Sequence, residues 1–185
     1  TSCLSGVAAK RIGLPTKVAN FLPTEGDFFL HSENGILGMG PAPAEDDIDW
    51  DLINAGKQPV TLLTGGCFFH HGDSFSMMRG GHIDICVMGA YQVSEKGDLA
   101  NWHTGAPDAI PAVGGAMDLA VGAKQVFVMM DLLSKTGEIK LVKECVRDVS
   151  IDPRLAHRFF HLGTAKTFFE VADLVLHRLR QAFNH

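Results

Sequence analysis

Apolar residues in this chain come in short blocks rather than in long alternations. Phe28 to His31, Val60 to Leu63, Ile83 to Met88 and Val126 to Met130 are short, mostly apolar runs rich in β-branched and aromatic side chains. Runs of this kind predict strands buried on both faces. The pattern turns helical over Thr16 to Phe21, ahead of the first run, and over Phe75 to Arg79 and Ala116 to Ala123 between later ones. Pro15 presets the first turn of the first helix, and Asp73 or Ser74 is the expected cap of the second. Glycine pairs at 65–66, 80–81 and 114–115 punctuate the runs. Strands alternating with short helices predict an open, mostly parallel α/β sheet flanked by helices.

The pattern changes near Cys145. From Phe168 to Phe183, the spacing of Phe169, Ala172, Leu176, Leu179 and Phe183 fits one face of an amphipathic helix. The expected organisation is therefore a domain over 1–145 and a divergent helical tail over 146–185. The apolar stripe of the tail reads either as a helix covering the core or as one that binds a partner.

Composition narrows the class. With 46% hydrophobic and 20% charged residues, the bulk of the chain is not disordered, and 185 residues suffice for a core without disulfides. A net charge of −5 and a single dense basic run, Arg178-Leu179-Arg180, give no expectation of nucleic-acid binding. The apolar stretch Val126 to Leu133 is broken by Asp131 and falls far short of the ~18 residues that cross a bilayer. Thr1 to Arg11 lacks the apolar core of a secretory signal, and Cys3, Cys67, Cys86 and Cys145 form no C-x-x-C pair. The expectation is a cytoplasmic protein with reduced thiols.

Three places can hold chemistry. In Asp27-Phe-Phe-Leu-His-Ser-Glu33-Asn-Gly35 a buried strand runs into an Asn-Gly turn, which sets Glu33 at the carboxyl end of the strand, where open α/β sheets bind ligands. Taken alone, a glutamate beside Asn-Gly is also an ordinary exposed turn residue. The following Gly38-Met39-Gly40 is no dinucleotide fingerprint, because Pro41 and Pro43 stand where a helix should begin. The second place is Thr64-Gly-Gly-Cys-Phe-Phe-His-His-Gly-Asp73, where His70, His71, Asp73 and His82 invite a metal reading. Adjacent extended residues point to opposite faces, and no zinc spacing is present, so no metal is expected. The third is Gly114-Gly115-Ala116, a glycine pair entering a helix, whose free backbone N–H groups suit an anion; glycine pairs also precede helices for turn reasons alone.

Taken together, Ser32-Glu-Asn-Gly-Ile-Leu-Gly-Met-Gly-Pro41, Asp51-Leu-Ile-Asn-Ala-Gly-Lys57, Ser74-Phe-Ser-Met-Met-Arg-Gly-Gly-His82, Lys96-Gly-Asp-Leu-Ala-Asn-Trp102 and Gly114-Gly-Ala-Met-Asp118 resemble the beta subunits of the 3-oxoacid CoA-transferases. The resemblance runs from about Gly13 to Cys145. Thr64 to His71, Trp102-His-Thr-Gly-Ala106 and Phe127-Val-Met-Met130 look most like the branch that uses succinyl-CoA and 3-oxoadipate. The resemblance implies that Glu33 is a covalent nucleophile carrying CoA as a glutamyl thioester. It implies that Gly114, Gly115 and Ala116 bind the oxyanion and CoA, and that Asn34, Gly35 and Gly38 line the pocket. It further implies no cofactor beyond the CoA thioester substrate, and an alpha subunit as partner in an α2β2 assembly. As a carboxylate with a reference pKa of ~4.3, Glu33 is expected to need no general base.

Two stretches depart from the family. Its Asn-Leu-Gly-Ile-Gly-x-Pro segment reads Ala9-Lys-Arg-Ile-Gly-Leu-Pro15 here, without the Asn, and its strands beyond Cys145 are replaced by the tail. A transferase for acetoacetate or another 3-oxoacid, and a catalytically silent structural subunit, are the alternatives. Because the family's covering strands are absent, the tail is expected to leave a sheet edge open.

Overall fold

Strands Ile85–Met88 (β5) and Gln125–Val128 (β8) lie side by side and parallel at the centre of the molecule. Their side chains alternate between two apolar clusters. Ile85, Val87 and Phe127 join Leu30, Ile36, Met39, Val60 and Met129 on one face of the sheet. Cys86, Met88, Val126 and Val128 join Met78, Ile83, Leu119 and Ala120 on the other. This two-sided burial is what uninterrupted apolar runs require.

The computed structural model describes residues 2–6, 28–101, 110, 114–134, 136–145 and 159–161. Within them, Ser2–Gly6 (β1), Phe28–Ser32 (β2), Ile36–Met39 (β3), Leu62–Phe68 (β4), β5, β8 and Phe159–His161 (β10) form one sheet in the order β10-β8-β5-β1-β2-β3-β4. The pairs from β10 through to β2 are parallel; β2–β3 and β3–β4 are antiparallel. The sheet is thus mostly parallel, as expected. A small second sheet, Leu99–Ala100 (β7), Gln92–Ser94 (β6) and Leu141–Val142 (β9), was not legible as strands.

Two helices cover the second cluster, His71–Arg79 (α1) and Ala116–Gly122 (α2). Each leads into a strand of the parallel set, so each runs back against the sheet and its N-terminus lies at the carboxyl end of the strands. They pack closely because Gly122 has no side chain where the Met78 carbonyl passes. Arg79 Nε donates to Asp118 Oδ1 at 2.7 Å and ties the two together.

Three expectations change. The pair Gly65-Gly66 lies inside β4 rather than ending a strand. A side chain on Gly38 would come within 2.7 Å of the Gly66 Cα, and the β3–β4 register slips between Leu37 and Met39 at that crossing. The second helix starts at His71, not Phe75, and its cap is His70, whose Nδ1 accepts from Gly72 N at 3.0 Å. Ser74 is buried inside the helix. Third, the tail contributes strand β10, which covers the edge beside β8. The helices expected over 16–21 and 168–183 lie outside the described residues, as do Ala9 to Pro15 and the segment 102–106. No helix among the described residues is long and apolar enough to cross a membrane.

Candidate active site

Ser32 to Gly35 form a tight turn closed by Gly35 N donating to Ser32 O at 3.0 Å. Its position at the carboxyl end of β2 brings Glu33 to the end of the sheet where α1 and α2 begin. The residues flanking Glu33 are held from outside the turn. Ser32 Oγ donates to Asn34 Oδ1 at 2.6 Å and accepts from Ala55 N at 3.1 Å, while Asn34 Nδ2 donates to Ile53 O at 2.7 Å. The segment Asp51 to Lys57, which the sequence singled out only by resemblance, is therefore the strap that fixes the turn.

Glu33 itself is bound differently. A methyl group built on Gly115 would lie 2.7 Å from Glu33 Oε2 and 2.8 Å from Phe75 Cζ, so the carboxylate and the Phe75 ring both rest against that glycine. Only glycine leaves room for both. Oε2 is buried and has no hydrogen-bond partner among the described residues. Burial pushes the Glu33 carboxyl above its usual range; His71 opposes that shift and Asp118 adds to it. The sequence treated Glu33 as an ordinary carboxylate; the structure places it where ionisation is disfavoured. Beneath it lies Cys86, fully buried, whose thiol is pushed up by burial and then by the Glu33 charge.

Two N-termini converge on this point. Gly115 is the residue before α2 and Gly114 stands at φ 56, while α1 starts at His71. First-turn N–H groups have no partner within their helix and carry partial positive charge. Of that entry to α2, Gly115 is the residue against which the Glu33 carboxylate rests. Of the expected pocket residues, Asn34 and Gly35 belong to the turn itself, whereas Gly38 lies farther along β3, packed on Gly66.

His70, His71, Asp73 and His82 are not gathered: His70 caps α1, and His71 packs its ring edge-on against Phe75 with centroids 4.9 Å apart. No group of three or more potential ligands clusters among the described residues. Cys67, Cys86 and Cys145 are free thiols. Sequence reasoning missed His31, Ser74 and Phe75. The one local signal for His31 was its place two residues before Glu33, a polar ring in an otherwise apolar run that ends at the turn. Ser74 and Phe75 carry no such local mark.

Residues 4–171 match the family model for coenzyme A transferase. The beta subunit of 3-oxoadipate CoA-transferase from Pseudomonas putida is 75% identical over 134 residues, covering 72% of this chain and 62% of that protein. The beta subunit of a probable succinyl-CoA:3-ketoacid coenzyme A transferase from Bacillus subtilis is 50% identical over 134 residues, with the same coverage of 72% and 62%. An acyl-CoA transferase apoenzyme from Escherichia coli O157:H7 shares the fold, with a TM-score of 0.62 at 15% identity over 87% of this chain and 31% of that one. The chain thus spans less than two thirds of the length of these relatives. A match that takes in both the Glu33 turn and the Gly114-Gly115 entry to α2 leaves one conclusion: this chain belongs to the coenzyme A transferase family.

Proposed function

We propose that the chain acts as the beta subunit of a CoA-transferase that moves CoA from succinyl-CoA to 3-oxoadipate, with Glu33 as the covalent carrier. The observation that carries this reading is the Glu33 carboxylate itself. It is held against Gly115 with an orphaned inner oxygen, in a chain 75% identical over most of its length to the beta subunit of a 3-oxoadipate CoA-transferase. A carboxylate oxygen with no hydrogen bond gives up little solvation when it attacks, which suits a nucleophile better than a structural acid.

The reaction is two acyl exchanges. Glu33 attacks the thioester carbonyl of succinyl-CoA and the C–S bond breaks, leaving a glutamyl-succinyl anhydride and CoA thiolate. The thiolate attacks the Glu33 carbonyl, forming glutamyl-CoA and releasing succinate. The 3-oxoadipate carboxylate then attacks the glutamyl thioester and expels CoA thiolate. That thiolate attacks the oxoadipyl carbonyl, giving 3-oxoadipyl-CoA and restoring Glu33. In this reading each tetrahedral oxyanion accepts from the Gly115 and Ala116 N–H groups, and a well-aimed donor contributes about 3–4 kcal/mol. No cofactor or metal is required.

An alpha subunit completes the site in an α2β2 assembly within the cytoplasm. The test is to combine the chain with an alpha subunit, add succinyl-CoA, and treat with borohydride, which reduces a glutamyl thioester. A reduced Glu33 detected by peptide mass is the expected result; its absence from an assembled complex overturns the mechanism. Offering 3-oxoadipate and acetoacetate in competition then assigns the acceptor, and turnover with acetoacetate alone sinks the 3-oxoadipate assignment.

A further inference from the structure

The mechanism makes no use of a polar pair buried beside Glu33. His31 is 1% exposed and Ser74 is 0% exposed, on β2 and α1 respectively. Their side chains meet in a hydrogen bond between His31 Nε2 and Ser74 Oγ at 3.0 Å. The His31 ring also stacks on Phe69, with centroids 5.8 Å apart and planes 12° from parallel. Burial lowers the His31 pKa to about 4, so the ring is neutral at physiological pH and its bond to the hydroxyl is one between uncharged groups.

The placement of the pair gives it a role. His31 lies two residues before Glu33. Ser74 shares a helix face with His71, three residues earlier, and with Met78, four residues later, and it directly precedes Phe75. His71 and Phe75 are the α1 residues that reach the carboxylate, His71 through its charge and Phe75 through its contact with Gly115. An apolar contact at this point would let α1 slide along β2. A buried hydrogen bond resists it, because any slide breaks a directional contact between two buried polar side chains.

We propose that His31 and Ser74 are positioning residues for Glu33: their buried bond locks the first half of α1 onto β2 and so keeps Phe75 and His71 closed over the carboxylate. This rests on the CoA-transferase reading of Glu33. The charged and titratable groups that face Glu33 are His71 from α1, Asp118 from α2, where Arg79 pairs with it, and Cys86 from β5. Removing the bond deletes none of these groups; as α1 withdraws, water reaches the carboxylate and relieves its burial, the largest influence on it, which outweighs the weakened opposing attraction of His71.

The experiment compares His31→Phe, which keeps a ring on Phe69 but no bond, with His31→Gln, which restores a polar nitrogen near the Nε2 position. Both are made in the full chain. Three quantities are read: the Glu33 titration by carbon NMR of labelled glutamate, assigned with Glu33→Gln; thermal stability; and the rate of borohydride-trapped thioester in the complex with an alpha subunit. The expected result for His31→Phe is a Glu33 pKa that falls toward the ordinary carboxylate range. Thioester formation should slow about 10- to 100-fold with little change in KM, and His31→Gln should recover both. If His31→Phe lowers stability but leaves the titration and the rate untouched, the pair is only structural and the proposal is overturned. Ser74→Ala removes the same bond with a smaller change in volume and decides the question should His31→Phe not fold. A wild-type complex that forms no thioester would overturn the functional reading, while the Glu33 titration still decides the positioning role.

Discussion

Two turns in this molecule have the same local sequence pattern, Ser-Glu-x-Gly, and opposite fates. Ser32-Glu33-Asn34-Gly35 and Ser94-Glu95-Lys96-Gly97 are both closed by the glycine N–H donating to the serine carbonyl at 3.0 Å, and both glycines have positive φ, 107 and 89. In the second turn the serine is used locally. Ser94 Oγ accepts from Lys96 N at 3.2 Å and Asp98 N at 3.0 Å and donates to Asp98 Oδ2 at 2.8 Å, leaving Glu95 exposed to solvent. In the first turn Ser32 and Asn34 reach out to Ile53 and Ala55, and Glu33 is pressed against Gly115 with one oxygen unpaired. A satisfied turn is structural. A turn whose neighbours are paired while its carboxylate keeps one buried oxygen unpaired is arranged for chemistry.

The largest effect separates the two glutamates. Glu33→Ala should abolish thioester formation, and Glu33→Asp, which retracts the carboxylate by one methylene, should cost on the order of 100-fold; Glu95→Ala should leave the rate within about twofold. A borohydride-trapping assay checks all three, and equal losses at the two positions would erase the distinction.

Acid should damage the first turn selectively. The unfolded chain protonates His31 near pH 6.5, whereas the folded protein resists until about pH 4. Stability should therefore fall as pH drops across that window, by up to about 3 kcal/mol. Glu33 acts with the opposite sign: its carboxyl is raised on folding, so its contribution falls as pH rises through the folded value. Denaturant unfolding of Glu33→Gln across the window isolates the His31 share, and adding His31→Gln should flatten the curve.

Space around Gly115 comes next. Gly115→Ala puts a methyl group where Glu33 Oε2 and Phe75 already sit. It should slow thioester formation about 10- to 100-fold while circular dichroism stays unchanged. An unimpaired Gly115→Ala enzyme would mean that Glu33 works from another place.

The glycines of the two turns should differ by less. Both Gly35→Ala and Gly97→Ala incur left-handed backbone strain of roughly 1–2 kcal/mol. Gly35→Ala also drives a methyl group into the Phe69 carbonyl, so its loss in denaturant unfolding should be the greater by about 1 kcal/mol or more. Smallest of all, Ser94→Ala should cost about 1 kcal/mol of stability and no activity, since the hydroxyl serves only its own turn.

How much was legible follows the same line. The apolar runs Ile83 to Met88 and Val126 to Met130 announced strands buried on both faces, and the strands Ile85–Met88 and Gln125–Val128 form the centre of the sheet. Val60 to Leu63 was placed too early, because paired glycines that normally end a strand instead let β3 and β4 cross closely. Short polar residues favour helix starts, so the sequence predicts Asp73 or Ser74 as a cap, yet the Ser74 hydroxyl serves His31, 43 positions away in sequence.

The local sequence determined the turn at Ser32 to Gly35, the helix after Gly115 and the strand before Glu33, because each depends on neighbours a few residues apart. It also carried the family, through residues whose spacing is fixed by that chemistry. Only the tertiary structure decided that Glu33 and not Glu95 is half-buried, that Gly115 and Phe75 close on it, and that His31 meets Ser74. Those outcomes depend on helices that run back from separate strands to one end of the sheet, and desolvation and fit at that end are properties of the packed arrangement, not of any segment within it.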